Sequence, residues 1–184
     1  MPPDWQWSLQ ACVISGIEGE AATAKGNHLV RLTGTALLVF LLDQLSKLAV
    51  VQWMGLKTLG SIDVLPPFLN FRMAWNQGVN FGLFSNDTDV MRWLLTALAV
   101  AVSVGLFLWA RKFEHPGAQI FAGAVIGGAM GNAVDRLVYG AVADFLNMSC
   151  CGIGNPYAFN IADVGIFVGA FGLVLSSNKH DNKG

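Results

Sequence analysis

An all-α membrane protein of four transmembrane helices, with a small extracytoplasmic strand-bearing segment between helices 1 and 2, follows from three observations. Apolar residues make up 54% of the 184 residues and charged ones only 12%, against the roughly 25% charge of soluble domains. Four stretches approach the ~20 mostly apolar residues that a helix needs to cross a bilayer. Between the first two of them, Leu69, Phe71, Met73 and Trp75 alternate with Asn70, Arg72, Ala74 and Asn76, the period-two pattern of a strand with one apolar face.

The elements follow in order. Residues 1–28 are mixed and unpatterned, with Glu18 and Glu20 among them, and are expected to form a cytoplasmic extension that is weakly ordered or partly helical. Residues 29–184 form the membrane domain. Span one runs from Leu32 to about Val51 and carries Asp43 and Lys47; its length, its charges and the polar stretch ahead of it exclude a cleavable signal peptide. The strand Leu69 to Trp75 follows Pro66-Pro67, and Gly78 and Gly82 then bracket a bend at Val79-Asn80-Phe81. Ser85-Asn86-Asp87 offers a cap for span two, an uncharged run from Trp93 to Ala110. Span three, Pro116 to Val134, is rich in glycine, and its Gly127-Gly128-Ala129-Met130-Gly131 run suits close helix approach. Span four, Phe159 to Ser177, is interrupted only by Asp163.

Positive charge orients the spans. Lys25 and Arg31, Arg111 and Lys112, and Lys179 and Lys183 all fall on one side if four spans alternate, so both termini are expected in the cytoplasm. Residues 52–90 and 137–158 are then external, and Lys57, Arg72, Arg92 and Arg136, which also fall to that side, make the bias modest.

Several functions are excluded. A net charge of −1 with scattered Lys and Arg gives no footprint for nucleic acid. Cys12, Cys150 and Cys151 have neither the spacing of a disulfide framework nor that of a zinc site. His28, His115 and His180 all lie on the expected cytoplasmic side, which leaves an external serine or cysteine nucleophile without its base.

The carboxylates remain. An ionisable group within a membrane segment is a functional candidate because it is costly there. Asp144 follows span three and Asp163 opens span four, and the short connection brings the two acids together at the external face. Two carboxylates in one dry site share a proton, so one can take a proton from water while the other gives one to a departing amide nitrogen. The helix N-terminus favours the charged form of Asp163. Each acid also has a plainer role. Asn160 with Asp163 makes a helix N-cap and its third-position acid, Asp144 alone is a loop carboxylate, and Asp135-Arg136 a surface ion pair ending span three. Asp43 and Lys47, four apart, neutralise each other in the bilayer, the role favoured for them.

Five blocks in order then resemble the lipoprotein signal peptidases (signal peptidase II), bacterial membrane aspartyl proteases that remove signal peptides from prolipoproteins. They are Asp43-Gln-Leu-Ser-Lys47; Asn76-Gln-Gly78-Val-Asn-Phe81; Gly127-Gly128 with Gly131-Asn132-Ala-Val-Asp135-Arg136; Val142-Ala-Asp144-Phe145; and Phe159-Asn160-Ile-Ala162-Asp163. The resemblance runs from about Arg31 to Ser177. It implies catalytic Asp144 and Asp163, with Asn132, Arg136, Asn160, Asn76, Gly78, Asp43, Lys47, Asp135 and Ala162 binding substrate or supporting the site. It implies no metal and no cofactor. The substrate implied is a prolipoprotein whose cysteine carries diacylglycerol, cut just before that cysteine at the outer face of the inner membrane by a monomer among membrane lipids. Two departures stand out: Val79-Asn80 replaces the family's usual Ala-Ala, and the chain ahead of span one is longer than usual. Two other classes remain open: an ion-coupled transporter with Asp43, Asp135 and Asp163 as relays, and a non-enzymatic lipid-binding subunit tolerant of change at Asp144.

Overall fold

The computed structural model describes residues 28–78, 88–113, 115–150 and 154–177. In chain order the elements are α1 (His28–Trp53), α2 (Leu56–Leu59), β1 (Ser61–Leu65), β2 (Leu69–Asn76), α3 (Thr88–Ala110), α4 (Pro116–Tyr139), β3 (Val142–Met148) and α5 (Ile161–Ser177). Helices α1, α3 and α4 are long and apolar enough to cross a membrane, and α5 is a shorter apolar helix. Leu37, Leu41, Leu45, Leu94, Leu98, Phe167 and Phe171 are exposed on their flanks, where lipid replaces water as the favourable solvent. The protein is a multi-pass membrane protein.

Glycine sets how the bundle closes. A Cβ on Gly127 would strike the carbonyl oxygen of Ala36 in α1, and one on Gly128 that of Ala162 in α5. Consecutive residues of α4 thus receive the backbones of two different helices, the small-residue packing expected where lipid gives no hydrophobic drive between helices. Local signals bound α4 as well. Pro116 occupies its first turn, the His115 side chain accepts from Gly117 N–H, and Gly140 closes it at φ +80°.

The three strands form one antiparallel sheet in the order β1-β2-β3. Below it, Val50, Val51 and Leu56 pack with Ala143 and Phe145, joined by Phe71 and Met73. A second cluster of Leu32, Ala110 and Ala122 closes the other end of the bundle. The last turns of α1, Leu48–Trp53, widen into a π-helix directly after Lys47, a geometry frequent at functional sites.

The alternation at Leu69 to Trp75 forms β2. Two strands lie beyond that pattern. β3 is buried on both faces along most of its length, so its sequence shows no alternation to read. Asp144 consequently belongs to a strand and not to a loop. Helix α4 extends past Val134 to Tyr139, which places Asp135 and Arg136 inside it, and Asp135 is fully buried; a surface ion pair is excluded. The bend at residues 79–82, the cap at Ser85-Asn86-Asp87, Cys12, Cys151 and nearly all of residues 1–28 lie outside the described residues.

Candidate active site

The two acids reach one place from unlike backbones. Asp163 sits in the first turn of α5, where Asn160 and Asp163 form a reciprocal cap. Asp163 N–H donates to Asn160 Oδ1 at 2.9 Å, and Asn160 N–H donates to Asp163 Oδ2 at 3.2 Å. Each satisfies a backbone donor that the helix end would otherwise leave open. Asp144 lies on β3 opposite Ala74 of β2 and is 3% exposed. Asn76 Nδ2, two residue pairs further along, donates to its Oδ2 at 3.1 Å. Asn76 is itself held by Gly78 N–H, which donates to Asn76 Oδ1 at 3.0 Å from a backbone at φ +112°, a conformation natural only to glycine.

One residue joins the halves. Asn160 Nδ2 donates to Asp144 Oδ1 at 2.6 Å and to Asn132 Oδ1 at 3.2 Å, while Asn132 Nδ2 donates to Asp163 Oδ1 at 2.9 Å. The plain capping role of Asn160 and the role in a shared acid site are therefore both met by the same side chain. Arg136 stands one turn along α4 from Asn132, with Nη1 donating to Asn132 O at 3.3 Å. The charges of Asp163, Asp135 and Asp144 all act on its guanidinium.

A second polar layer is buried beside the first. Lys47 Nζ lies 2.7 Å from Asp43 Oδ2 and 2.7 Å from Asp135 Oδ2. The i,i+4 pair in α1 thus acquires a third member from α4. Asp43 Oδ1 accepts from Ala162 N–H at 2.9 Å, and Asp135 Oδ2 accepts from Ala143 N–H at 3.1 Å. Gln44 Nε2 reaches Asp43 Oδ2 and Asp135 Oδ1, both at 3.1 Å. Gln44 is absent from the sequence-derived site; a polar side chain in span one next to Asp43 was the available signal. All eleven sequence-derived positions fall in these two layers.

Burial and charge act together on Asp144. Burial, and then the negative charge of Asp163, push the Asp144 carboxyl up to about 6, while the amides of Asn76 and Asn160 and the Lys47 charge pull the other way. Chemically, this is a pair of carboxylates held by neutral amides, one of them poised to hold a proton near neutrality.

The family model "Signal peptidase (SPase) II" matches residues 35–179. The chain is 41% identical over 146 residues to the lipoprotein signal peptidase of Methylobacterium radiotolerans, covering 79% of this chain and 84% of the relative. It is 40% identical over 143 residues to that of Caulobacter vibrioides, covering 77% and 83%. A solved bacterial membrane enzyme, determined at 2.3 Å resolution by the in meso method, superposes with a TM-score of 0.67 at 26% identity over 82% of this chain and 89% of the other.

Proposed function

The chain belongs to the signal peptidase II family, and on that premise we propose that it is an aspartic endopeptidase cutting prolipoproteins just before their diacylglyceryl cysteine. One observation carries the reading: Asn160 bonds to both Asp144 and Asp163, so the two carboxylates border one small space. Water held there loses a proton to Asp163, which α5 presents at its positive N-terminal end. The oxygen attacks the scissile carbonyl, and Asp144 donates its proton to the leaving nitrogen as the tetrahedral intermediate collapses. The raised Asp144 carboxyl supports its assignment as the acid. Arg136, whose Nε has no hydrogen-bond partner among the described residues, supplies positive charge and donors for the substrate backbone or the developing oxyanion.

The membrane setting completes the proposal. Four spans cross the inner membrane with both termini cytoplasmic, α5 being the fourth, and the sheet and acid pair face the periplasm. The apolar flanks admit a substrate that arrives within the bilayer on its diacylglyceryl chains.

The test uses purified protein and a signal-sequence peptide bearing a diacylglyceryl cysteine. Asp144→Asn and Asp163→Asn should each lower turnover by about 10³-fold or more while the protein still accumulates folded in the membrane. Wild-type turnover by either variant removes that acid from the mechanism. A non-enzymatic lipid-binding subunit would give no cleavage with the unaltered chain.

A further inference from the structure

The buried Asp43–Lys47–Asp135 group is built in a way that simple charge neutralisation does not explain. Its members are 0%, 5% and 0% exposed. An i,i+4 pair in α1 already neutralises itself, yet Lys47 reaches a second carboxylate on α4. The peptide N–H groups that the two carboxylates hold are also particular ones. Asp135 takes the N–H of Ala143, the residue immediately ahead of Asp144. Asp43 takes the N–H of Ala162, the residue immediately ahead of Asp163. Gln44 duplicates the bridge that Lys47 makes, donating to the same two carboxylates.

We infer that this group is a clip that fixes the separation of the two catalytic carboxylates, with Lys47 joining one arm on the strand side to another on the helix side. The inference rests on the peptidase reading and deepens it: Asp43, Lys47 and Asp135, which the resemblance holds only to bind substrate or support the site, become positioning residues that act through the backbone ahead of each acid. Each arm reaches its acid through a single peptide unit, so displacement at Asp135 or Asp43 is passed to Asp144 or Asp163 nearly undiminished. Among the described residues, every partner of the two clip carboxylates is a donor, so both act there as acceptors. Gly131 leaves room for this arrangement, since a Cβ there would come within 2.7 Å of Asp43 Oδ2.

Asp135→Asn tests the clip. It leaves Lys47 and Asp43 as a self-neutralised buried pair, whereas Lys47→Met would leave two uncompensated buried carboxylates. The clip predicts folded Asp135→Asn protein with kcat lowered roughly 10- to 100-fold, the scale of a small misplacement of reacting groups, and KM within about twofold. It also predicts a displaced pH profile for kcat/KM, because the acids' apparent values depend on their spacing and on Asp163, Lys47 and Arg136 around Asp144. Asp43→Asn, altering the helix side, should give the same split. Wild-type kcat per folded molecule in both variants overturns the clip, as does loss of activity only in proportion to lost folded protein with the pH profile unmoved. Failure of both variants to accumulate folded assigns the group to folding alone and also overturns it. A wild-type protein that does not cleave the lipidated peptide sinks the peptidase reading itself, a result distinct from all of these.

Discussion

Asp163 and Asp144 show two ways to keep a carboxylate in an apolar protein. Asp163 draws on local backbone: its first-turn position, the reciprocal bonds with Asn160 three residues earlier, and the positive end of α5. Asp144 has no local support of that kind. Among the described residues its partners are side chains, Asn76 of β2 and Asn160 at the start of α5. The helix-borne acid is built by sequence neighbours and the strand-borne acid by tertiary assembly. Burial pushes the carboxyl of the second up to about 6.

Asn160 is where the contrast can be broken on both sides at once. Asn160→Ala removes the cap of α5, the bond to Asp144 and the bond to Asn132. Activity should fall by about 10²-fold, the lower range for mispositioned acid–base groups, and stability by ~1–2 kcal/mol for the lost cap. Asn160→Ser separates the two effects. A serine still caps the helix but is too short to keep the reach to Asp144 at 2.6 Å, so the thermal midpoint should stay close to wild type while turnover stays low. If both variants lose stability without losing turnover per folded molecule, Asn160 is a cap only.

Gly128 isolates the helix side. A Cβ there meets the backbone oxygen of Ala162 and, at 2.9 Å, Ile166 Cγ1, so Gly128→Ala must push the start of α5 away from α4. Overpacking of this kind costs ~1–3 kcal/mol, and Asp163 should move with the helix, lowering kcat. Gly34, with nothing within 4 Å of its would-be Cβ, is the control. Gly34→Ala should leave turnover unchanged and add up to ~1 kcal/mol through helix propensity. Equal effects at the two positions, followed by thermal unfolding in detergent, would remove close packing at Gly128 as the reason Asp163 is in place.

What the sequence disclosed follows the same division. The Asn160–Asp163 cap, Pro116 at the start of α4, the Asp43–Lys47 pair and the alternation of β2 are local patterns, and each stands in the structure where its pattern put it. β3 was not legible, because burial on both faces erases the alternation that marks a half-exposed strand. Asp135 was not legible as Lys47's second partner, since nothing near it in sequence indicates that α1 lies against it. Asp144 and Asp163 stood out by themselves, as carboxylates beside membrane-length apolar runs, whereas Asn132, Arg136, Asn76, Gly78 and Ala162 entered the site through the resemblance. That Asn160 bonds to both acids, and that Gln44 joins the buried layer, required the assembled helices.

Asn76 sharpens the strand side with the smallest effect. Its amide favours the ionised form of Asp144, as does that of Asn160, against burial and the Asp163 charge. Asn76→Leu removes one of the two amides, so the Asp144 carboxyl should rise further above 6 and hold its proton to higher pH. Asp144 works as the acid in the proposed mechanism, so the alkaline limb of kcat/KM should move up, by roughly half to one pH unit for one lost hydrogen bond. Stability follows from the same sign. A carboxyl raised in the folded protein stabilises it fully below about 4 and loses that contribution as pH climbs through about 6. The variant's loss should therefore extend to higher pH than the wild type's, and Asp144→Asn should flatten the dependence. An acid limb that moves up in Asn76→Leu while the alkaline limb stays in place would reverse the roles of the two acids, making Asp144 the base and Asp163 the proton donor.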